Sequence, residues 1–424
     1  MSKNAQLSIE VWADWVSTGD PKFMGTLFAT PSRGKEIFSF EYDAAWLKSP
    51  HAQELDPSLI LFGGPQYAPS GQDNFGLFLD SCPDRWGRLL MRRREAQQAR
   101  EQKRREQKLL ESDYLLGVHD SHRMGGLRFR TTPGGPFLDD NQHMASPPWT
   151  SLCELEQVSL TLERDDAAEH PDYSKWLKML IAPGGSLGGA RPKVGVLDDK
   201  GALWIAKFPS QRDDDNIGAW EEVAHMLARR AGIQTPVTQT RQFVSKHHTF
   251  LSKRFDRTRD GGRLHFASAM TLLQRSEGDD ASSGVSYLEL AEFLMRSGAN
   301  TDRDLEELWR RIIFFICISN TDDHLRNHGF MLEPNGWSLA PVYDINPTPH
   351  GAGLRLNISE TDNAQDLELA LEVAPYFRIN KSHAEEIIRN TVRAVQHWPQ
   401  VAKYCEISKS EQDRMASAFD YARY

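Results

Sequence analysis

Asn320-Thr321-Asp322-Asp323-His324-Leu325-Arg326-Asn327, followed after a short apolar segment by Tyr343-Asp344-Ile345, decides how this 424-residue chain is read. The stretch comes just after the apolar run Ile312-Ile313-Phe314-Phe315-Ile316. Asp322 stands five residues ahead of Asn327. That is the spacing of a phosphoryl-transfer loop, in which the Asp orients an attacking hydroxyl and the Asn holds a metal. Asp344, on the far side of a strand-turn-strand, is placed to hold Mg²⁺ against phosphates. The competing account is a solvated turn after a buried helix. His324 and His328 also stand four apart, which on a helix would suggest zinc. The segment runs into Gly329 and lacks the Glu of a His-Glu-x-x-His pattern.

The residues upstream favour the phosphoryl-transfer reading. Gly184-Gly185-Ser186-Leu187-Gly188-Gly189-Ala190-Arg191-Pro192-Lys193 precedes two alternating segments, Val194 to Leu197 and Ala202 to Phe208. Small residues let backbone N–H groups approach phosphate oxygens, and the alternation predicts a hairpin turning at Asp198-Asp199-Lys200-Gly201. The loop is not a Walker A motif, since no Gly-Lys-Ser/Thr closes it. Lys207 on the second strand would reach the α/β-phosphates, its plainer role being an exposed strand-end lysine. An amphipathic helix is expected from Gly218 to Arg230, ended by Gly232. Glu222 or Glu221 on it is a candidate to pair with Lys207, or else a surface carboxylate in a solvated pair.

In this order the residues resemble the HipA-type serine/threonine-protein kinases, the toxin halves of bacterial toxin–antitoxin pairs, over nearly the whole chain. Ser39 to Leu47 is similar to that family's F-x-Y-x-x-x-W-L segment, and Asp80-Ser81-Cys82-Pro83-Asp84-Arg85-Trp86-Gly87 to its D-x-x-P-D-x-W-G signature. Gly125 to Phe129, the Gly/Ser loop, Trp204 to Pro209, Lys253-Arg254-Phe255-Asp256-Arg257, Asn320 to Asn327 and Pro341 to Ile345 follow in family order. The resemblance implies a two-lobed, protein-kinase-like α+β fold with an N-terminal α/β subdomain and a mostly helical C-lobe. It also implies ATP and Mg²⁺ as cofactors, Asp322 as catalytic base, and Asn327 with Asp344 as metal ligands. Lys207, Ser186, Gly188, Gly189, Lys253, Phe255, His324 and Tyr343 would bind ATP, the Lys253 to Phe255 stretch acting as the hinge that meets adenine. Ser186 matches the serine that family members autophosphorylate, an event that displaces the loop and stops activity. One departure is Arg191-Pro192 where relatives often carry Gln-Glu, and the proline would stiffen that loop. The implied partners are a protein substrate, by family an aminoacyl-tRNA synthetase, a separate small helix-turn-helix antitoxin, and operator DNA reached through it.

Composition fits a large soluble enzyme. A net charge of −9 argues against coating nucleic acid by global charge. No signal segment opens the chain and no apolar run is long enough for a bilayer, so no membrane partner and a cytoplasmic location are expected. The four cysteines are widely spaced, with no Cys-x-x-Cys. Breaks in composition suggest an N-terminal subdomain over 1–137, a kinase N-lobe with the phosphate loop over 138–258, and a helical C-lobe over 259–424. In the last of these, Tyr287 to Arg296, Leu305 to Ile318 and Ala384 to Gln396 carry apolar residues at helical spacing.

The basic run from Arg92 to Lys108 reads as a solvated helix projecting from the N-terminal subdomain, with Glu95, Glu101 and Glu106 supplying intrahelical pairs. A contact with nucleic-acid phosphate is the sharper alternative. For the whole chain the rivals are a small-molecule or lipid kinase, which should lack the Asp80 to Gly87 block, and a non-catalytic co-repressor acting with a DNA-binding antitoxin. A scaffold has no need of Lys207, Asp322, Asn327 and Asp344 together.

Overall fold

A computed structural model of the protein describes residues 6–138, 146–181 and 191–423. Two compact units divide the chain. One holds Met1–Gln211 with Asp256–Ala267, the other Arg212–Phe255 with Ser268–Tyr424.

The first unit is built on an antiparallel sheet of five strands, β1 (Leu7–Ala13), β2 (Lys22–Ser32), β3 (Lys35–Tyr42), β4 (Gln66–Tyr67) and β5 (Leu127–Arg130), in the order β4-β3-β2-β1-β5. Alternation puts Ile9, Val11 and Ala13 on one buried face of β1. Phe38, Phe40, Phe78 and Phe129 close the core around them. The helix Arg85–Glu101 starts at Asp84, whose carboxylate accepts from Gly87 N at 2.8 Å.

This helix modifies the reading of a solvated basic helix: much of the run from Arg92 to Lys108 is exposed, but the helix is packed against its unit. Trp86, Leu90 and Met91 are buried, and the helix packs on a second one, Tyr173–Ile181. Glu95 turns inward and takes Arg104 through two bonds of 2.5 and 2.9 Å, while Glu101 accepts from Ser174 Oγ at 2.5 Å. Arg93 donates to the Leu162 carbonyl at 2.7 Å. Glu95 and Glu101 therefore fasten the segment locally, Glu101 also accepting from Gln97 one turn earlier on the helix at 2.9 Å. Arg92, Arg100, Lys103, Arg105 and Lys108 remain exposed.

The hairpin expected after the Gly/Ser loop is present. Strands β6 (Lys193–Leu197) and β7 (Leu203–Lys207) pair with Lys193 opposite Lys207 and Leu197 opposite Leu203. Asp198 Oδ1 accepts from Lys200 N and Ala202 N at 2.9 and 2.8 Å, and Gly201 supplies the left-handed residue at φ 76°.

In the second unit, the helix Ile217–Arg230 begins at Asn216 and ends where Gly232 takes φ 80°. Gly218 leaves room for the His248 carbonyl oxygen, which a Cβ would strike. A hairpin of β8 (Thr238–Arg241) and β9 (Thr249–Lys253) follows. The three expected helices appear as Tyr287–Ser297, Thr301–Ile318 and Lys381–Gln396. Every residue of Thr301–Ile318 from Arg311 onward is buried, and Arg311 itself is held by Glu307 and by the Ala340 carbonyl at 2.7 Å. A helix apolar on all sides belongs inside a domain. Here it delivers the loop from Ser319 onward.

Candidate active site

The helix Thr301–Ile318 stops at Ser319, whose φ of 49° lies in the left-handed region. The chain then folds back through short turns: Thr321 N donates to Ser319 O at 2.9 Å, His324 N to Asp322 O at 2.9 Å, and Asn327 N to His324 O at 2.8 Å. Within this loop the Asp322 side chain is exposed and that of Asn327 is buried. Asn327 Nδ2 donates to the Asp322 carbonyl at 3.1 Å. The amide is thereby oriented, and its Oδ1 is the atom left for a ligand.

Two hydrogen bonds join this loop to the segment carrying Asp344. The Tyr343 hydroxyl donates to the Arg326 carbonyl at 2.6 Å, and Asn346 N donates to Asn320 Oδ1 at 3.3 Å. Asp344 between them is half-buried and holds φ 57°, in the left-handed region that Asp enters more readily than most residues with a Cβ. The Tyr343 ring lies 5.7 Å from that of Phe255, tilted by 34°. The second unit thus gathers Asp322, His324, Asn327, Tyr343, Asp344 and Phe255, while Lys253 closes β9 two residues before Phe255. The side chains fit the hard oxygen ligands that a magnesium ion takes, an amide oxygen from Asn327 and a carboxylate from Asp344.

Lys207 ends β7 in the first unit and is half-buried. Ser186, Gly188 and Gly189 lie outside the described residues. On the helix Ile217–Arg230, Glu222 Oε1 accepts from Arg229 at 2.9 Å. Burial raises the Glu222 carboxyl above its ordinary range, against the pull of Thr238 and Arg229. Glu221 beside it is buried as well.

Sequence reasoning missed one part of the site. Asp323 is buried and accepts from both the Tyr287 hydroxyl and His328 Nε2, each at 2.7 Å. Burial, and then the charge of Asp323, push the Tyr287 hydroxyl well above its usual range. His328 is therefore committed to Asp323, not to a metal shared with His324. The doubled Asp-Asp before a His was the available signal: one carboxylate faces out and its neighbour must face in.

Residues 185–398 match the family model described as HipA-like C-terminal domain. A Haemophilus influenzae protein named "Putative kinase" is 27% identical over 187 residues, 39% of this chain and 54% of the relative. A Sinorhizobium fredii protein named "Putative kinase Y4mE" is 26% identical over 149 residues, 33% of each chain. The matched segments span about half the length of the first relative and a third of the second. Among solved structures, the chain superposes on Shewanella oneidensis HipA, from its complex with HipB and operator DNA, with a TM-score of 0.63. That match covers 98% of this chain and 95% of the other at 17% identity, and establishes a shared fold. The α+β architecture, with a sheet-based first unit and a largely helical second, is that of a two-lobed kinase-like protein. Among the described residues no helix is long and apolar enough to cross a membrane.

Proposed function

Because this chain belongs to the family of HipA-like C-terminal domains, we propose that it is an ATP-dependent protein serine/threonine kinase, the toxin of a toxin–antitoxin pair. The observation that carries the reading is the loop that presents an exposed Asp322 and fixes the Asn327 amide by its bond to the Asp322 carbonyl, joined through Tyr343 and Asn346 to the segment carrying the left-handed Asp344. Asp322 would orient the acceptor hydroxyl and take up its proton as the oxygen attacks the γ-phosphorus. The bond from that phosphorus to the bridging oxygen then breaks, and ADP leaves with the electron pair. Asn327 Oδ1 and the Asp344 carboxylate would hold Mg²⁺, which when bound supplies positive charge to the phosphate oxygens. Lys207 would meet the α/β-phosphates, His324 and Tyr343 would flank the nucleotide, and Lys253 to Phe255 would serve adenine as a hinge. Glu222 or Glu221 would steady Lys207.

The same reading divides the chain at about 137 and 258 into an N-terminal subdomain, an N-lobe and a C-lobe. It makes the acceptor a protein, an aminoacyl-tRNA synthetase by family likeness, and places the enzyme in the cytoplasm. A small helix-turn-helix antitoxin would bind it, with operator DNA reached through that partner. The Shewanella protein's complex with HipB and operator DNA supports this pairing. Ser186 would be the chain's own phosphorylation site and off switch, since a phosphate carries close to two negative charges into the loop meant for those of ATP.

The test is incorporation of γ-phosphate from radiolabelled ATP. The wild-type chain should label itself at Ser186. Asp322→Asn should still bind ATP but incorporate at least about a hundredfold less. Unchanged labelling in Asp322→Asn would refute the assignment.

A further inference from the structure

We propose that Tyr287, Asp323 and His328 form a buried positioning device that fixes the separation of Asp322 from Asn327. The proposal rests on the roles given to those two residues above. Asp323 and His328 each come one residue after a working residue, and both are about 1% exposed. Their bond, His328 Nε2 to Asp323 Oδ2 at 2.7 Å, repeats the five-residue span of the Asn327 Nδ2 bond to Asp322 O at 3.1 Å. The loop is therefore braced by two rungs, one at the surface and one beneath it.

The lower rung is anchored on three sides. A carboxylate has no proton to give, so His328 presents Nε2–H to Asp323. Tyr287 donates to the same oxygen, Oδ2, from the first residue of its helix. The His328 ring lies edge-on to Tyr287 at 5.7 Å and to Phe315 at 6.2 Å, so the helices Tyr287–Ser297 and Thr301–Ile318 both grip it. The His328 carbonyl accepts from Ala269 N at 2.8 Å. A buried charge is tolerable only when hydrogen-bonded, and well-packed apolar side chains often replace such clusters without loss of stability. A cluster of this kind directly beneath the reacting groups is explained by the geometry it imposes. An error of about 1 Å between reacting groups can cost about a hundredfold in rate.

The experiment compares wild type, Asp323→Asn, His328→Gln, His328→Ala and Tyr287→Phe, with Asp322→Asn as control. Phosphate transfer from radiolabelled ATP is measured at saturating and limiting ATP, and amide hydrogen exchange is followed in nucleotide-free protein. Asp323→Asn and His328→Ala should lower the saturated rate about 10- to 100-fold while the half-saturating ATP concentration stays within about twofold. His328→Gln keeps a donor and should recover part of the rate, and Tyr287→Phe, leaving the histidine bond, should lose least. In the slow variants exchange should accelerate in residues 321–328 and not in the helix Thr301–Ile318. Exchange rising equally through that helix, or an unchanged rate in Asp323→Asn, would overturn the proposal. If Asp322→Asn is also unaffected, or wild type transfers no phosphate to itself or to casein, the kinase reading falls and takes the proposal with it.

Discussion

Asp84 and Lys193 lie 3.3 Å apart, with both side chains almost wholly withdrawn from solvent. Asp84 belongs to the Asp-x-x-Pro-Asp-x-Trp-Gly block and caps the helix Arg85–Glu101, whereas Lys193 opens β6 and stands opposite Lys207. Residues directly opposite on a hairpin share a face, and like charges there repel. Asp84 offsets that repulsion, which ties the N-terminal signature electrostatically to the strand pair β6–β7 that ends at Lys207. Burial raises the Asp84 carboxyl above its usual range, and the Lys193 charge works against the shift.

Removing one member of this pair leaves the other buried and uncompensated. Asp84→Ala should therefore destabilise the protein by about 3–5 kcal/mol, of which the lost helix cap is about 1. The double variant Asp84→Ala/Lys193→Met should cost less than the sum of the single changes, by about 1–3 kcal/mol. Urea unfolding of the four proteins measures both quantities, and strict additivity would mean the two residues act independently.

His265 contributes one source of acid sensitivity. It packs at 5.0 Å against the Trp15 ring in the first unit, and full burial pushes its imidazole down to about 3. In the folded protein it is neutral through most of the acid range, while the unfolded chain takes up a proton near pH 6.5. The unfolded state thus binds more protons between those values, so stability rises with pH there and falls as pH drops from about 6.5 toward 3. The slope approaches about 1.4 kcal/mol per pH unit for this one group. His265→Gln should flatten that part of the profile, followed by urea midpoints at pH 7, 6 and 5.

Asp344 holds a backbone conformation that costs a residue with a Cβ some stability. Its left-handed φ of 57° suits glycine better than any residue with a Cβ. Asp344→Gly should leave the protein as stable as wild type or more so by up to about 1 kcal/mol, and should abolish phosphate transfer. Asp344→Asn keeps a side chain that tolerates this conformation and should lose metal-dependent nucleotide affinity without loss of thermal stability. Calorimetric titration with ATP, with and without Mg²⁺, separates the two effects.

Much of this arrangement is legible where periodicity or spacing carries it. The hairpin of Lys193 to Lys207 and the three C-terminal helices follow from alternation and helical repeat. The loop Asn320–Asn327 follows from one Asp-to-Asn interval. What escaped is pairing across sequence: Asp84 reads as a signature residue, and nothing near it shows that its cation is Lys193. Tyr287 reads as one more apolar position on a helix, because its hydroxyl meets Asp323 only once two helices pack. The Arg92 to Lys108 segment reads as a projecting helix because its glutamates look like surface charges. Whether Glu95 faces out or in is set by Arg104, which lies beyond the end of the helix.

The helix Thr301–Ile318 has almost no free surface in its second half. That constrains how such a chain can diverge. Substitutions from Arg311 to Ile318 change core volume, and most would be purged for lost stability. The loop hung from its end inherits this conservatism. The segments around residues 276–283 and 359–363 hold many more exposed positions and tolerate replacement. Related chains would thus retain the Asn320–Asn327 loop nearly unchanged while their outer loops drift.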